Sequence, residues 1–319
     1  MISTATNPKQ NGVKDFMHYG YIPADAVKEA TSIQLEYAAD DMGIALMAKK
    51  MGRMDVYHTF LKRALSYQTI FDSKINKIHP KMKDGSWYEP YDPFLANERD
   101  GVGDFCEGNG WQYTFMVPQD PDGLIKAHGG DAAFVKNLDE LFVVEGDLGE
   151  GAPPDVSGMV GQYAHGNEPN HHTPYLYVYA GHPYKTAEKV RMLQNKFYTD
   201  EPDGYCGNED CGQMSAWHIM SALGFYQVNP SNGIFVFGSP LFKKATIHLP
   251  EGKTFVITAP NNNDKNVYIK SAQLNGRNLK TSYITYSDVM KGGVLNFQMS
   301  NRPNKSFGKA MQHRPVSAK

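Results

Sequence analysis

The sequence is short of several features that mark common function classes. Its formal net charge is only -2 over 319 residues, and no Lys/Arg run alternates with aromatics. It therefore lacks the basic field that holds a phosphate backbone, which argues against a nucleic-acid partner. Gly108, Gly110, Gly129, Gly130 and Gly207 fit neither a G-x-x-x-x-G-K-S/T loop nor a strand feeding a G-x-G-x-x-G turn, so nucleotide chemistry is disfavoured. Ser157 and Ser215 lack the context of a nucleophile elbow. The 3 cysteines cannot build a disulfide framework, and with no paired C-x-x-C and no H-x-x-x-H a zinc site is not expected. Cys206 and Cys211 are near enough in sequence to bridge in an oxidising compartment, or to stay reduced. No apolar run is long enough for a transmembrane segment, and the opening stretch MISTATNPKQNGVKDF has no signal-peptide core.

What is present supports a globular chain with a large core, since 41% of its residues are hydrophobic. Aromatics make up 12%, with Tyr at 19 and Trp at 3, side chains whose faces pack in cores and also stack on sugar rings. From Pro23 to Gly52 apolar residues recur at spacings of three and four, which predicts a long helix. A second such run, 56–71, should pack antiparallel to it. Further helices are expected over 109–117, 132–142, 171–179, 187–197 and 214–223. After Phe225 the texture changes to short β-rich runs, 234–237, 244–248, 254–259, 267–274, 281–285 and 293–299, punctuated by Asn232-Gly233 and Asn275-Gly276. The expected organisation is mainly α over 1–228, followed by a small antiparallel β region with a C-terminal tail over 229–319.

Three polar, glycine-punctuated blocks stand out on the α side: FCEGNGWQY (105–113), QYAHGNEPNHH (162–172) and GYCGNEDCGQMSAW (204–217). Buried carboxylates and amides must find partners, so their recurrence suggests one shared polar pocket. Glu107 either caps a helix start or serves as a general acid beside an apolar neighbour such as Trp111. Glu209 and Asp210 read either as turn and capping acids or, for one of them, as the base opposing Glu107. Asn167 and Glu168, with Asp210 and Gln213, supply the hard oxygens that calcium takes, or else simply stabilise a loop; no D-x-D-x-D-G signature is present. His171 and His172 are adjacent and point to different faces, which leaves His165 as the more exposed histidine for ligand contact.

Extended to 154–172 and 204–226, and together with 20–41 (GYIPADAVKEATSIQLEYAADD), 84–93 (DGSWYEPYDP) and 117–125 (VPQDPDGLI), these blocks closely resemble glycoside hydrolase family 92, the calcium-dependent exo-α-mannosidases. The resemblance implies a partial (α/α)6 barrel, followed by the β region. It further implies an inverting hydrolysis of terminal α-mannosidic bonds in which Ca2+ grips the mannose 2- and 3-hydroxyls. On matching positions Glu107 would be the general acid and Asp210 the general base. Metal contacts would come from Glu168 and Asp210, then Asn167 and Gln213. Trp87, Trp111, Gln112, His165, Asn208 and Glu209 would contact a mannose-containing glycan. Asn208 stands where family members often carry an acid, and its amide can hold water without sharing the basic role. The family's chains are longer, with an N-terminal β-sandwich and early barrel helices ahead of this segment. This chain therefore resembles the C-terminal part of a periplasmic or secreted enzyme, expected to be poorly soluble or oligomeric by itself. Rival expectations are a non-catalytic mannose-binding or structural remnant, and an inverting helical-barrel glycosidase acting on another sugar.

Overall fold

The computed structural model describes residues 1–96 and 105–317; residues 318 and 319 of the expected tail lie outside them. Compactness divides the chain into two units, 1–170 with Ser317, and 171–316.

The first unit is built mainly of helices: α1 (Ile2–Ala5), α2 (Val13–Tyr19), α3 (Ala30–Lys50), α4 (Met54–Ala64), α5 (Gly110–Tyr113), α6 (Pro121–Ala127) and α7 (Asp131–Leu141). Two short antiparallel ribbons accompany them, β1 (Phe71–Asp72) with β2 (Lys77–Ile78), and β3 (Met159–Val160) with β4 (Tyr163–Ala164). The expected long helix begins seven residues late, at Ala30, because Pro23 opens a turn and Glu29 takes a left-handed φ of 59°. Along α3, Leu35, Ala38, Met42 and Ala45 are fully buried. Gln34 is buried as well, and satisfies itself by accepting from the Ile22 amide at 2.9 Å and donating to the Ser66 carbonyl at 3.1 Å. As the spacing predicts, α4 folds back against α3, with Phe60 and Tyr57 set among Ile44, Ala45 and Ala48. The helix expected over 109–117 shrinks to α5, since Pro118 disfavours helical geometry at Val117.

In the second unit, α8 (Pro183–Phe197) and α9 (Gln213–Leu223) precede the strands β5 (Phe225–Tyr226), β6 (Ile234–Phe237), β7 (Lys244–His248), β8 (Thr254–Thr258), β9 (Tyr268–Leu274), β10 (Arg277–Leu279), β11 (Tyr283–Thr285) and β12 (Gly293–Ser300), with α10 (Tyr286–Met290) between the last two. Helix thus gives way to strand at 223–225. The segment expected as a helix over 171–179 is a 3-10 turn, Thr173–Val178. The five-stranded sheet runs β10-β9-β12-β8-β7. It corrects the expectation of an antiparallel sheet: β12 returns after the excursion through β10, β11 and α10, inserts between β9 and β8, and pairs parallel with β8. Period-two alternation sends Phe255 and Ile257 of β8 and Leu295, Phe297 and Met299 of β12 into the core with Phe225 and Phe237. Asn275 and Gly276, both at positive φ, make the two-residue turn from β9 to β10.

Candidate active site

A cleft of about 460 Å³ opens in the first unit. Helix α3 contributes Ser32 and Glu36 to its lining and the residue before it Glu29, the loop before α5 contributes Cys106 and Glu107, and the 3-10 turn Glu168–Asn170 with the residue before it contributes Asn167 and Glu168. Two of the three polar blocks therefore meet here, as a shared pocket requires.

The Glu107 loop is shaped from beneath. Asn109 and Gln112 form a reciprocal capping box at the start of α5, and the Asn109 amide group also donates to Gln162 Oε1 at 2.7 Å. Gly108 and Gly110 permit this packing, because a Cβ at the first would press on Gln112 and Tyr113, and one at the second would collide with the Tyr91 hydroxyl. Glu107 itself is half-buried, with a left-handed φ of 45° that costs a non-glycine residue about 1–3 kcal/mol.

Negative charge shapes the electrostatics of the cleft. Although Glu36 is exposed, crowding by the cleft walls, with Asp40 and then Glu168, raises its carboxyl above the usual range. Burial, with Glu29 and Glu107 next, pushes the Cys106 thiol up to about 12, so it stays protonated and donates to Glu29. Such a lining, which sets carboxylate and amide acceptors among Ile33, Tyr37 and Pro169, suits a neutral polyhydroxylated ligand and acid–base work on it.

The other expected residues fall elsewhere. Trp111 is buried under the Lys77 ammonium, 3.6 Å from its ring centroid, and Gln112 is fully buried in the capping box; neither lines the cleft. Trp87 is half-buried on a hairpin, stacked on His79 at 4.9 Å, and also lies outside the lining. The expectation that His165 is the more exposed histidine is corrected. It is 0% exposed, held by Tyr163 at 2.9 Å through Nδ1, because its strand-side position in β4's continuation turns it into the core.

In the second unit, Asn208 and Asp210 are exposed, and Asp210, Cys211 and Gly212 form a left-handed run leading into α9. Glu209 accepts from both the Ser215 amide, at 3.0 Å, and the Ser215 hydroxyl, at 2.9 Å, so it caps α9, and these bonds hold its carboxyl below the usual range. Gln213 uses its amide nitrogen on His171, at 3.0 Å, and Tyr226, at 3.3 Å, which leaves Oε1 as the oxygen it has to offer. The three cysteines are free thiols.

As calcium donors, Asn167 and Glu168 in one unit and Asp210 and Gln213 in the other are of the right kind, carboxylate and amide oxygens. Neither pair alone supplies the six to eight oxygens of a calcium shell. Among the described residues no three His, Cys, Asp or Glu side chains gather in metal-holding geometry.

Glu29, Ser32 and Glu36 were missed in the sequence. The signal was a polar stripe at spacings of three and four, hidden beside the apolar stripe that announced the helix.

Residues 1–301 match the model of the glycosyl hydrolase family 92 catalytic domain, and the chain belongs to that family. A family GH92 α-mannosidase of Bacteroides thetaiotaomicron, solved in complex with mannoimidazole, is 41% identical and superimposes with a TM-score of 0.94 over 99% of this chain and 42% of its own. A GH92 inverting mannosidase of the same organism is 37% identical, with a TM-score of 0.85, over 97% of this chain and 42% of its own. A curated relative from Arthroderma benhamiae, called an uncharacterized secreted glycosidase, is 26% identical over 97% of this chain and 41% of its length. The chain thus spans about two fifths of the length of these relatives. Among the described residues no helix is long and apolar enough to cross a membrane.

Proposed function

We propose that this chain carries both the acid and the base of a calcium-dependent inverting exo-α-mannosidase site and takes part in hydrolysing terminal α-mannosidic bonds of glycans. The observation that supports this most is the cleft itself, in which Glu107, Asn167 and Glu168 meet beside the polar face of α3, in a member of a family with α-mannosidases among its solved relatives. In this reading residues 1–228 are a segment of an (α/α)6 barrel and 229–319 a β region.

Glu107 gives its proton to the glycosidic oxygen as the bond from that oxygen to C1 breaks. Asp210 takes a proton from the water whose oxygen bonds to C1, and mannose leaves with inverted anomeric configuration. Asn208, beside the base, holds water without competing for its proton. Asn167, Glu168, Asp210 and Gln213 are the proposed holders of calcium, which when bound would orient sugar hydroxyls and favour an oxocarbenium-like charge distribution. By analogy with the relative named as secreted, the proposed location is the periplasm or outside the cell.

The test is mannose release from α-linked mannobiose by the purified chain, in calcium and then in excess chelator, with Glu107→Gln as comparison. Calcium-dependent release that falls by about 100-fold or more in the variant is expected, with β-mannose as the first anomer seen by NMR. Folded protein that binds mannose but releases none would replace this reading with that of a binding remnant.

A further inference from the structure

The proposed acid sits on a backbone that a glutamate does not adopt unaided. At φ 45° its Cβ crowds the neighbouring carbonyl, and such a conformation persists only where the surroundings over-determine it. A residue's φ and ψ are set by the planes of the two peptides that flank it. Both planes around Glu107 are held at their carbonyl oxygens by side chains. The Cys106 carbonyl, in the peptide before Glu107, accepts from the Tyr113 hydroxyl at 2.7 Å. The Glu107 carbonyl, in the peptide after it, accepts from Asn167 Nδ2 at 2.6 Å. One bond further back, the Cys106 amide donates to Ser32 Oγ at 2.9 Å, while the same hydroxyl donates to the Glu29 carbonyl at 2.9 Å. Ser32, Tyr113 and Asn167 are 1%, 3% and 4% exposed, so water has little access to replace them.

We propose that Tyr113, Asn167 and Ser32 are positioning residues for Glu107. By clamping the peptide planes on either side, they impose the left-handed φ and with it the direction in which the carboxyl enters the cleft. The inference rests on reading Glu107 as the general acid. The three donors and acceptors come from separate places in the chain, α5, the turn at 167–170 and α3, so the loop is fixed against three bodies at once. Burial holds the Tyr113 hydroxyl well above its ordinary range, and it remains a donor at every working pH. Asn167 is also a proposed calcium holder, but the clamp uses its nitrogen and an ion would use its oxygen. Asn167→Asp separates the two, keeping an oxygen ligand and removing the N–H that holds Glu107.

Full-chain Ser32→Ala, Tyr113→Phe and Asn167→Asp are to be compared on mannobiose, whose leaving alcohol must be protonated, and on 2,4-dinitrophenyl α-mannoside, whose leaving phenolate need not be. Ser32→Ala and Tyr113→Phe are each expected to lose about 10- to 100-fold in kcat on mannobiose, with KM changed by less than about threefold, and to keep most of their activity on the activated substrate; Asn167→Asp, which also alters a proposed calcium holder, is expected to lose more on mannobiose than on the activated substrate. Ser32→Thr, which retains the hydroxyl, should restore the loss. Equal losses on both substrates would overturn the proposal, since they would reflect general loosening. The acid assignment fails separately, if Glu107→Gln cleaves mannobiose like the parent. A crystal structure of the Tyr113→Phe/Asn167→Asp double variant decides the clamp even without turnover: Glu107 should leave the left-handed region, and a φ still near the parent value overturns the inference.

Discussion

A single residue's neighbours decide what its chemistry can be. Glu107 and Glu209 look alike in sequence, each a carboxylate in a glycine-rich block ahead of a helix. Glu107 enters a cleft on a strained backbone, whereas Glu209 spends both oxygens on Ser215 at the start of α9. Capping and acid–base readings were both open for each, and for Glu209 the two bonds from Ser215 favour the structural one. The glycines around Glu107 are equally particular. Gly110 faces the Tyr91 hydroxyl, which donates to the Ile78 carbonyl at 2.8 Å, and Pro93 closes the space behind. Gly110→Ala is therefore expected to cost about 1–3 kcal/mol by overpacking, read from the urea midpoint. An unchanged midpoint would mean that the segment carrying Tyr91 yields freely.

At the level of elements, α3 carries two jobs on different faces. One face packs apolar residues against α4, and another presents Ser32 and Glu36 to the cleft, beside Glu29 just ahead of the helix. The register between α3 and α4 is also held by an ion pair, Arg63 Nε to Asp41 Oδ2 at 2.8 Å, with the guanidinium lying 5.0 Å from the rings of both Phe16 and Phe60. Asp41 is 1% exposed. Arg63→Met keeps the packing stem and strands the carboxylate, and a loss of about 3–5 kcal/mol is expected in denaturant unfolding. A loss below about 1 kcal/mol would place this pair with ordinary surface bridges. Strand periodicity was legible enough that Ile234–Phe237 and Lys244–His248 match expectation to the residue. The parallel partner of β12 was not, because periodicity reports which face is buried and says nothing of which strand lies alongside.

For the whole molecule, the pH dependence of stability should show the cost of a buried histidine. His128 is 4% exposed, packed at 4.9 Å from Phe71 and 5.2 Å from Phe134, and donates through Nδ1 to the Leu124 carbonyl. Burial, outweighing that bond, lowers its pKa from 6.5 to about 4. A depressed folded pKa means that the unfolded chain binds the proton first. Stability from this group is complete above about pH 6.5 and is lost as pH falls toward 4, by up to about 3 kcal/mol. His128→Asn keeps a donor for Leu124 and removes the titration. Its absolute stability should be lower, and its stability should fall less than the parent's between pH 7 and 4.5 in urea titrations. Parallel slopes for the two proteins would exclude His128 as the source.

The residues alone determined that helices precede strands, that α3 and α4 pair, and that polar side chains concentrate in three glycine-punctuated blocks, because each of these follows from local spacing and composition. The family was also legible, since its blocks occur in order along one chain. Only the tertiary structure decided that Trp111, Gln112 and His165 are buried, that Glu209 is a cap, and that Glu36 and Ser32 share a cleft with Glu107. Exposure and proximity arise when segments far apart in sequence pack together, and no local pattern encodes which polar side chain will find its partner inside and which will be left facing a ligand.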